Sequence, residues 1–161
     1  MPTIKVTLGS ASISNAIAQL EDYQRKVENL GEKVTKRLTE DGVKQAQDYA
    51  MYMNAYDSGE LVDGIVPEYR DNKGYIHSTA KHSAFVEMGT GVVGDEHRNK
   101  NETVPGWEYD HNHHGQEGWY YIGRDGRKHW TKGMPSRPFM YDTAQTIRQS
   151  VQYVVEDELQ K

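Results

Sequence analysis

Apolar positions fall at helical spacing over the first third of the chain. Ile13, Ile17, Leu20, Val27, Leu30, Val34 and Leu38 recur at steps of three, four or seven, while Glu21, Arg25, Glu28, Lys33 and Arg37 take the other face. The pattern predicts a long amphipathic helix, with Ser10, Ser12 or Ser14 as its N-cap. Val43, Ala46 and Ala50 continue the stripe to about Tyr52. Gly31 and Gly42 sit inside it, each costing ~1 kcal/mol relative to Ala, and a bend or break is expected near Gly42. Ahead of the helix, Ile4, Val6 and Leu8 alternate with Lys5 and Thr7, the period of a short half-buried strand ended by Gly9-Ser10.

The period changes after Asp57-Ser58-Gly59. Residues 61–69 read as a strand and 74–78 as its partner, across an Asp71-Asn72-Lys73-Gly74 turn in which Gly supplies positive φ. Residues 80–88 are short and mixed and end at Gly89-Thr90-Gly91. From 94 to 118 there is no periodicity, only a polar loop rich in Asp, Glu, Asn, His and Gly. Structureless loops of this length are uncommon in compact domains, and Trp107 and Tyr109 within it require cover. Residues 119–122 and 128–131 read as a second hairpin around Arg124-Asp125-Gly126-Arg127, where Asp-Gly suits a primed turn. A last helix starts near Pro138, with Phe139 or Met140, Ala144, Ile147, Val151 and Val154 as its apolar stripe. The expected fold is α+β: an antiparallel sheet of hairpins packed by a long N-terminal helix and a C-terminal helix, in one domain over 1–161.

Composition qualifies this picture. Val, Ile, Leu and Phe number 28 of 161 residues, a thin supply for a core and below the roughly 20% that accompanies disorder in highly charged chains. The net charge is only −5 and aromatic residues make up 10%, so the expectation is a globular chain with a modest core. There is no Cys, which excludes disulfides, thiol catalysis and cysteine-ligated zinc. No run of apolar residues is long enough to span a membrane, and residues 1–10 lack the apolar region of a secretory signal. Acidic and basic residues are spread evenly, which argues against nucleic-acid binding over the whole surface.

Four groups could carry chemistry. His111, His113 and His114 lie beside Asp110 and could ligate a transition metal if an extended segment let them converge. Their spacing matches no closed zinc site, and the plainer reading is a polar surface loop. His82, Ser83 and Glu87 are close in sequence, as are Asp63 and Glu68, but triads form by geometry and not by adjacency. Arg124, Arg127, Lys128 and Lys132, interleaved with Tyr121, His129 and Trp130, could face a polyanion or form a solvated hairpin tip. Finally, Glu87 lies among Phe85, Val86 and Met88, where a carboxylate needs a partner or an exposed face.

This last segment, FVEMGTG at residues 85–91, resembles the "FVE-aromatic-GTG" signature of a tailed-bacteriophage family of minor tail components, neck proteins and tail-completion proteins. A second block, GMPSRPFM at 133–140, resembles that family's closing "GMPxRPFM" segment, and Ser58-Gly59-Glu60-Leu61 stands where the first hairpin is entered. The order of elements around both blocks is also similar; Met88 replaces the usual aromatic. The resemblance implies a neck or tail-terminator type of α+β fold and a structural role at the head–tail junction of the virion, with manufacture in the bacterial host cytoplasm. It implies no enzymatic activity, no cofactor and no catalytic residue. The implied partners are other neck and tail proteins and further copies of the chain in a ring, with free subunits able to remain monomeric. Phe85, Val86, Glu87, Gly89, Gly91, Pro135, Arg137, Pro138 and Phe139 are then fold and contact determinants, with Phe85 and Phe139 as core anchors. The two competing functions are a metal-dependent enzyme or regulator using residues 110–114, and a DNA-binding accessory protein using residues 124–137.

Overall fold

The computed structural model describes residues 5, 7, 9–55, 58–99 and 106–161. The strand expected from Ile4, Val6 and Leu8 lies outside the described residues. The first helix, α1, runs unbroken over Ser10–Tyr52. Its N-cap is Gly9 without a side-chain cap bond; Ser12 instead accepts a hydrogen bond from the Thr7 amide at 2.9 Å. No break occurs at Gly42, and the position has a packing reason for its glycine. Gly42 is buried, and a Cβ there would run into Ile76 and lie 3.3 Å from Ile147. The close approach of two neighbouring elements outweighs the weak helix propensity of Gly.

A single helical turn, α2 (Glu60–Asp63), follows, so the expected strand over 61–69 begins only at Ile65. Leu61 is buried from the helical turn. Strands β1 (Ile65–Arg70) and β2 (Lys73–Ser78) pair antiparallel from Ile65↔Ser78 to Arg70↔Lys73. The connection is the two-residue pair Asp71-Asn72, with φ of 53° and 58°, as a primed hairpin turn requires. Gly74 therefore does not supply the turn. It sits in β2 against α1, where a Cβ would collide with the Thr39 side chain.

Residues 80–96 are more helical than the sequence suggests, with α3 at Ser83–Met88 and α4 at Gly91–Glu96. The loop thus begins after a helix. Of its rings, Trp107 meets Phe85 and His111 edge-on at 5.6 and 5.1 Å, and Arg98 lies over Tyr109 at 5.5 Å. Strands β3 (Trp119–Ile122) and β4 (Lys128–Thr131) form the second hairpin. Of Arg124, Asp125, Gly126 and Arg127, only Gly126 has positive φ, and the Gly126 amide bonds the Gly123 carbonyl at 3.0 Å. The connection is a five-residue loop with a glycine in the left-handed region, not a two-residue primed turn. β5 (Gly133–Met134) and α5 (Phe139–Gln160) complete the chain.

The fold is α+β. Among the described residues the strands form two separate two-stranded sheets and not one; bridges at Thr90↔Met134 and Gly91↔Gly133 join further segments. α5 lies antiparallel along the second half of α1: Tyr49 Oη bonds Thr146 Oγ1 at 2.9 Å, and Arg37 bonds Asp157 and Glu158, the latter at 2.8 Å. The core is small-residue and aliphatic: Ala46, Ala50, Ala55, Leu61, Ile65, Ala80, Val86 and Phe139. The stripe expected on α5 is corrected, since Ala144 and Val151 are exposed and Thr143 is buried. On α1, Ile13, Ile17, Leu20 and Val27 are also exposed. Among the described residues, no helix is long and apolar enough to cross a membrane.

Candidate functional site

The two motif segments, 47 residues apart between Val86 and Gly133 in sequence, meet around one carboxylate. α5 starts at Phe139 behind Pro138, which has no side-chain cap. The first amides of a helix lack intrahelical partners, so these must be satisfied from outside. Glu87, near the end of α3, does it. Its Oε2 accepts from the Met140 amide at 2.9 Å and its Oε1 from the Tyr141 amide at 3.0 Å. The flanking amides are satisfied locally, Phe139 by the Arg137 carbonyl at 2.8 Å and Asp142 by the Pro138 carbonyl at 2.9 Å. The negative charge also sits at the positive end of the α5 dipole.

The same short helix is held by its backbone. Ser136 Oγ donates to the Glu87 carbonyl at 2.6 Å, and the Arg137 amide to the Val86 carbonyl at 2.9 Å. Asn99, 3% exposed, donates through Nδ2 to both the carbonyl and Oε1 of Glu87 at 3.3 Å. Beyond Glu87 the chain turns at Gly89, φ +82°, where a Cβ would lie 2.7 Å from the Ser136 amide nitrogen and 2.9 Å from the Met134 carbonyl. Only glycine suits this combination of left-handed backbone and close approach. Thr90 Oγ1 then accepts from the Met134 amide at 3.3 Å, beside the Thr90↔Met134 and Gly91↔Gly133 bridges.

Burial holds the Glu87 carboxyl above its ordinary range, against the downward pull of the Met140 and Tyr141 amides and Asn99. Both carboxylate oxygens and the Glu87 carbonyl take part in hydrogen bonds that tie α3 to the start of α5, to Ser136 and to Asn99. No side-chain hydrogen bond joins His82, Ser83 and Glu87. Phe139 is fully buried, as expected of an anchor; Phe85 is only half-buried and packs edge-on against Trp107 and His111 at 5.6 and 5.3 Å. Pro135 and Pro138 are half-buried around the joint. Arg137 lines a neighbouring cleft of about 330 Å³ together with Asn54, Glu60, His82 and Arg124.

The chain matches no family model, no curated protein and no solved structure. The chemistry of its parts is therefore legible only in their geometry.

The three histidines do not converge. His111 turns to Phe85 and Trp107, His114 stacks on Trp119 at 4.5 Å, and His113 is exposed with φ 54°. Among the described residues no three His, Asp or Glu side chains could together hold a metal ion. Asp110 organises the segment instead, accepting from the His114 and Gly115 amides at 2.8 Å each. These amide bonds draw its carboxyl below the ordinary range. The basic residues Arg124, Arg127, Lys128 and Lys132 are exposed on or beside the β3–β4 hairpin. Asp125 takes one side of that loop, bonding the Arg127 amide at 3.0 Å and His129 Nε2 at 2.9 Å.

The same hairpin has an apolar face. Tyr120 pairs with Trp130 and Ile122 with Lys128, which puts these four side chains on one side of the ribbon. Tyr120, Ile122 and Trp130 are 70%, 65% and 51% exposed. The sequence reading missed Asn99 and Ser136. An available signal was the lack of a capping residue before Pro138, which demanded an acceptor from elsewhere.

Proposed function

We propose that this chain is a structural protein of a tailed-phage virion, acting at the head–tail junction as a neck or tail-completion subunit. It works by protein–protein binding during assembly, beside other neck and tail proteins, and its copies close a ring. On this reading it is no enzyme and carries no cofactor. The observation that carries the proposal is the outward face of the β3–β4 hairpin. Tyr120, Ile122 and Trp130 stand together in solvent although the chain is poor in apolar residues. A contiguous apolar patch is characteristic of a contact surface. The joint around Glu87 is consistent with the same reading, because this carboxylate bonds the Met140 and Tyr141 amides at the start of α5. The FVEMGTG and GMPSRPFM segments are the two halves of that joint, in keeping with the fold-determining role that the family resemblance implies for them.

Deleting the gene from its phage should yield separate heads and tails by electron microscopy and a collapse in infectious titre. A plasmid copy should restore both, and a Tyr120→Ser/Trp130→Ser copy should not. Normal particles from the deletion would overturn the assembly role. The same hairpin also carries Arg124, Arg127, Lys128 and Lys132, and a cation–π contact puts Lys132 Nζ 5.8 Å from the Trp130 ring centroid. Steeply salt-dependent binding of DNA, lost on neutralising these four residues, would favour DNA contact over protein contact at this face.

A further inference from the structure

The first half of α1 carries a second unpaired surface, and its period is informative. Ile13, Leu20, Val27 and Val34 are spaced by seven residues throughout, with Ala16, Tyr23 and Leu30 three residues after the first three of them. These are the a and d positions of three successive heptads. An apolar repeat of 3.5 residues, not 3.6, matches the supercoiled seam of a coiled coil. The seam continues the established α1–α5 interface. Its next d position is Arg37, which bonds Asp157 and Glu158 in the last turns of α5. α5 ends at Gln160. N-terminal to that point, Ile13, Leu20 and Val27 are 43%, 56% and 45% exposed.

We infer that the occupant of this seam is the same seam of a second copy, in a parallel two-stranded coiled coil. Three of the four a positions, Ile13, Val27 and Val34, are β-branched, the fourth is Leu20, and among the d positions Ala16, Tyr23 and Leu30 the last is Leu; β-branched a with Leu at d favours two parallel strands. The flanking charges permit self-pairing. Glu21, Asp22, Glu28 and Glu32 all fall on the outer b, c and f positions. Lys26 and Lys33 occupy g, but the e positions that g residues face in a parallel dimer are Ile17, Gln24, Gly31 and Leu38. Between Ile13 and Val34 no like charges meet across the seam. Its span from Ile13 to Val34 is about 33 Å at 1.5 Å per residue. This dimer is independent of the assembly role, and either can fail without the other.

The test uses the full chain. Sedimentation equilibrium should show a concentration-dependent dimer. Leu20→Gln/Val27→Gln, at positions exposed in the subunit, should weaken it at least about 100-fold, from the burial lost at each position. Circular dichroism should show the variant still folded. Because the chain lacks Cys, Val27→Cys should form a disulfide between identical positions under mild oxidation, and Glu28→Cys on the outer face should not. A wild-type protein that stays monomeric to about 0.1 mM would overturn the inference. So would a dimer insensitive to the double substitution, a trimer or larger species, or a dimer that Val27→Cys cannot cross-link.

Discussion

Removing the Glu87 side chain should loosen the first turn of α5 while leaving the rest of the helix intact. In Glu87→Ala, the Met140 and Tyr141 amides, bonded at 2.9 and 3.0 Å, lose their acceptors and Asn99 loses one of its contacts. Hydrogen bonds to a charged group contribute about 1.5–3 kcal/mol each, and loss of a helix N-cap costs about 0.5–2 kcal/mol. Two effects offset the sum. The carboxylate is partly desolvated, which raises its pKa and weakens its net contribution, and water can reach the vacated site. The expected net loss is about 2–3 kcal/mol, roughly 4–12 °C in Tm for a chain of this size. Urea denaturation followed by circular dichroism gives the free energy, and amide exchange gives the location. Met140 and Tyr141 should exchange faster by a larger factor than the amides of the middle of α5. A change below about 0.5 kcal/mol, the range of ordinary surface substitutions, would refute the capping argument, as would unchanged protection at those two amides.

The Glu87 carboxyl is held above its ordinary value of 4.5 chiefly by burial, so the folded state holds this proton more tightly than the unfolded chain does. Its stabilisation is full below about pH 4.5 and declines as pH rises through the raised native value; the gap in stability between wild type and Glu87→Gln should narrow as pH rises above that ordinary value, and widening would refute the assignment. Gly74→Ala should cost about 1–3 kcal/mol through overpacking against Thr39, and Thr39→Ala in the same chain should recover part of it; additive losses in denaturation midpoints would show that the two positions do not touch. Arg37→Ala should release the last turns of α5, seen as faster amide exchange from Asp157 onward, with the middle of the helix unaffected. Lys161 and then Arg37 draw the Asp157 and Glu158 carboxyls below their ordinary values of 3.8 and 4.5, so their contribution is present above those values and is lost in acid; protection of this turn that does not fall with pH would contradict the pairing.

Much of the fold was legible where local pattern and tertiary context agree. The long helix, the strands of both hairpins and the start of the last helix follow from period, although the turn geometry of both hairpins was misread. Two of the errors share a cause. Gly42 and Gly74 were read by their intrinsic preferences, as a helix breaker and a turn former, but both are glycine because another element lies against them. Leu61 and Val62 carry no periodicity in a four-residue helix, and their β-like neighbours absorbed them into a strand. The site was half legible. A carboxylate among Phe85, Val86 and Met88 announced a need for a partner, but only the fold could bring Met140 and Tyr141 to it. The histidines misled in the other direction, since proximity along a loop says nothing about where three rings point.

The inner face of α1 has a consequence for how the chain tolerates change. Gly42, Ala46 and Ala50 are buried there, with both alanines fully enclosed. In most domains the damaging core substitutions remove atoms, because the cavity persists. Along this line there is almost nothing to remove. Sensitivity at these positions should run the opposite way: at Gly42, for example, an added methyl group meets Ile76 of β2 and Ile147 of α5 and pushes them outward. A library randomised over this face should therefore retain small residues by exclusion of volume, not by preference for hydrophobicity.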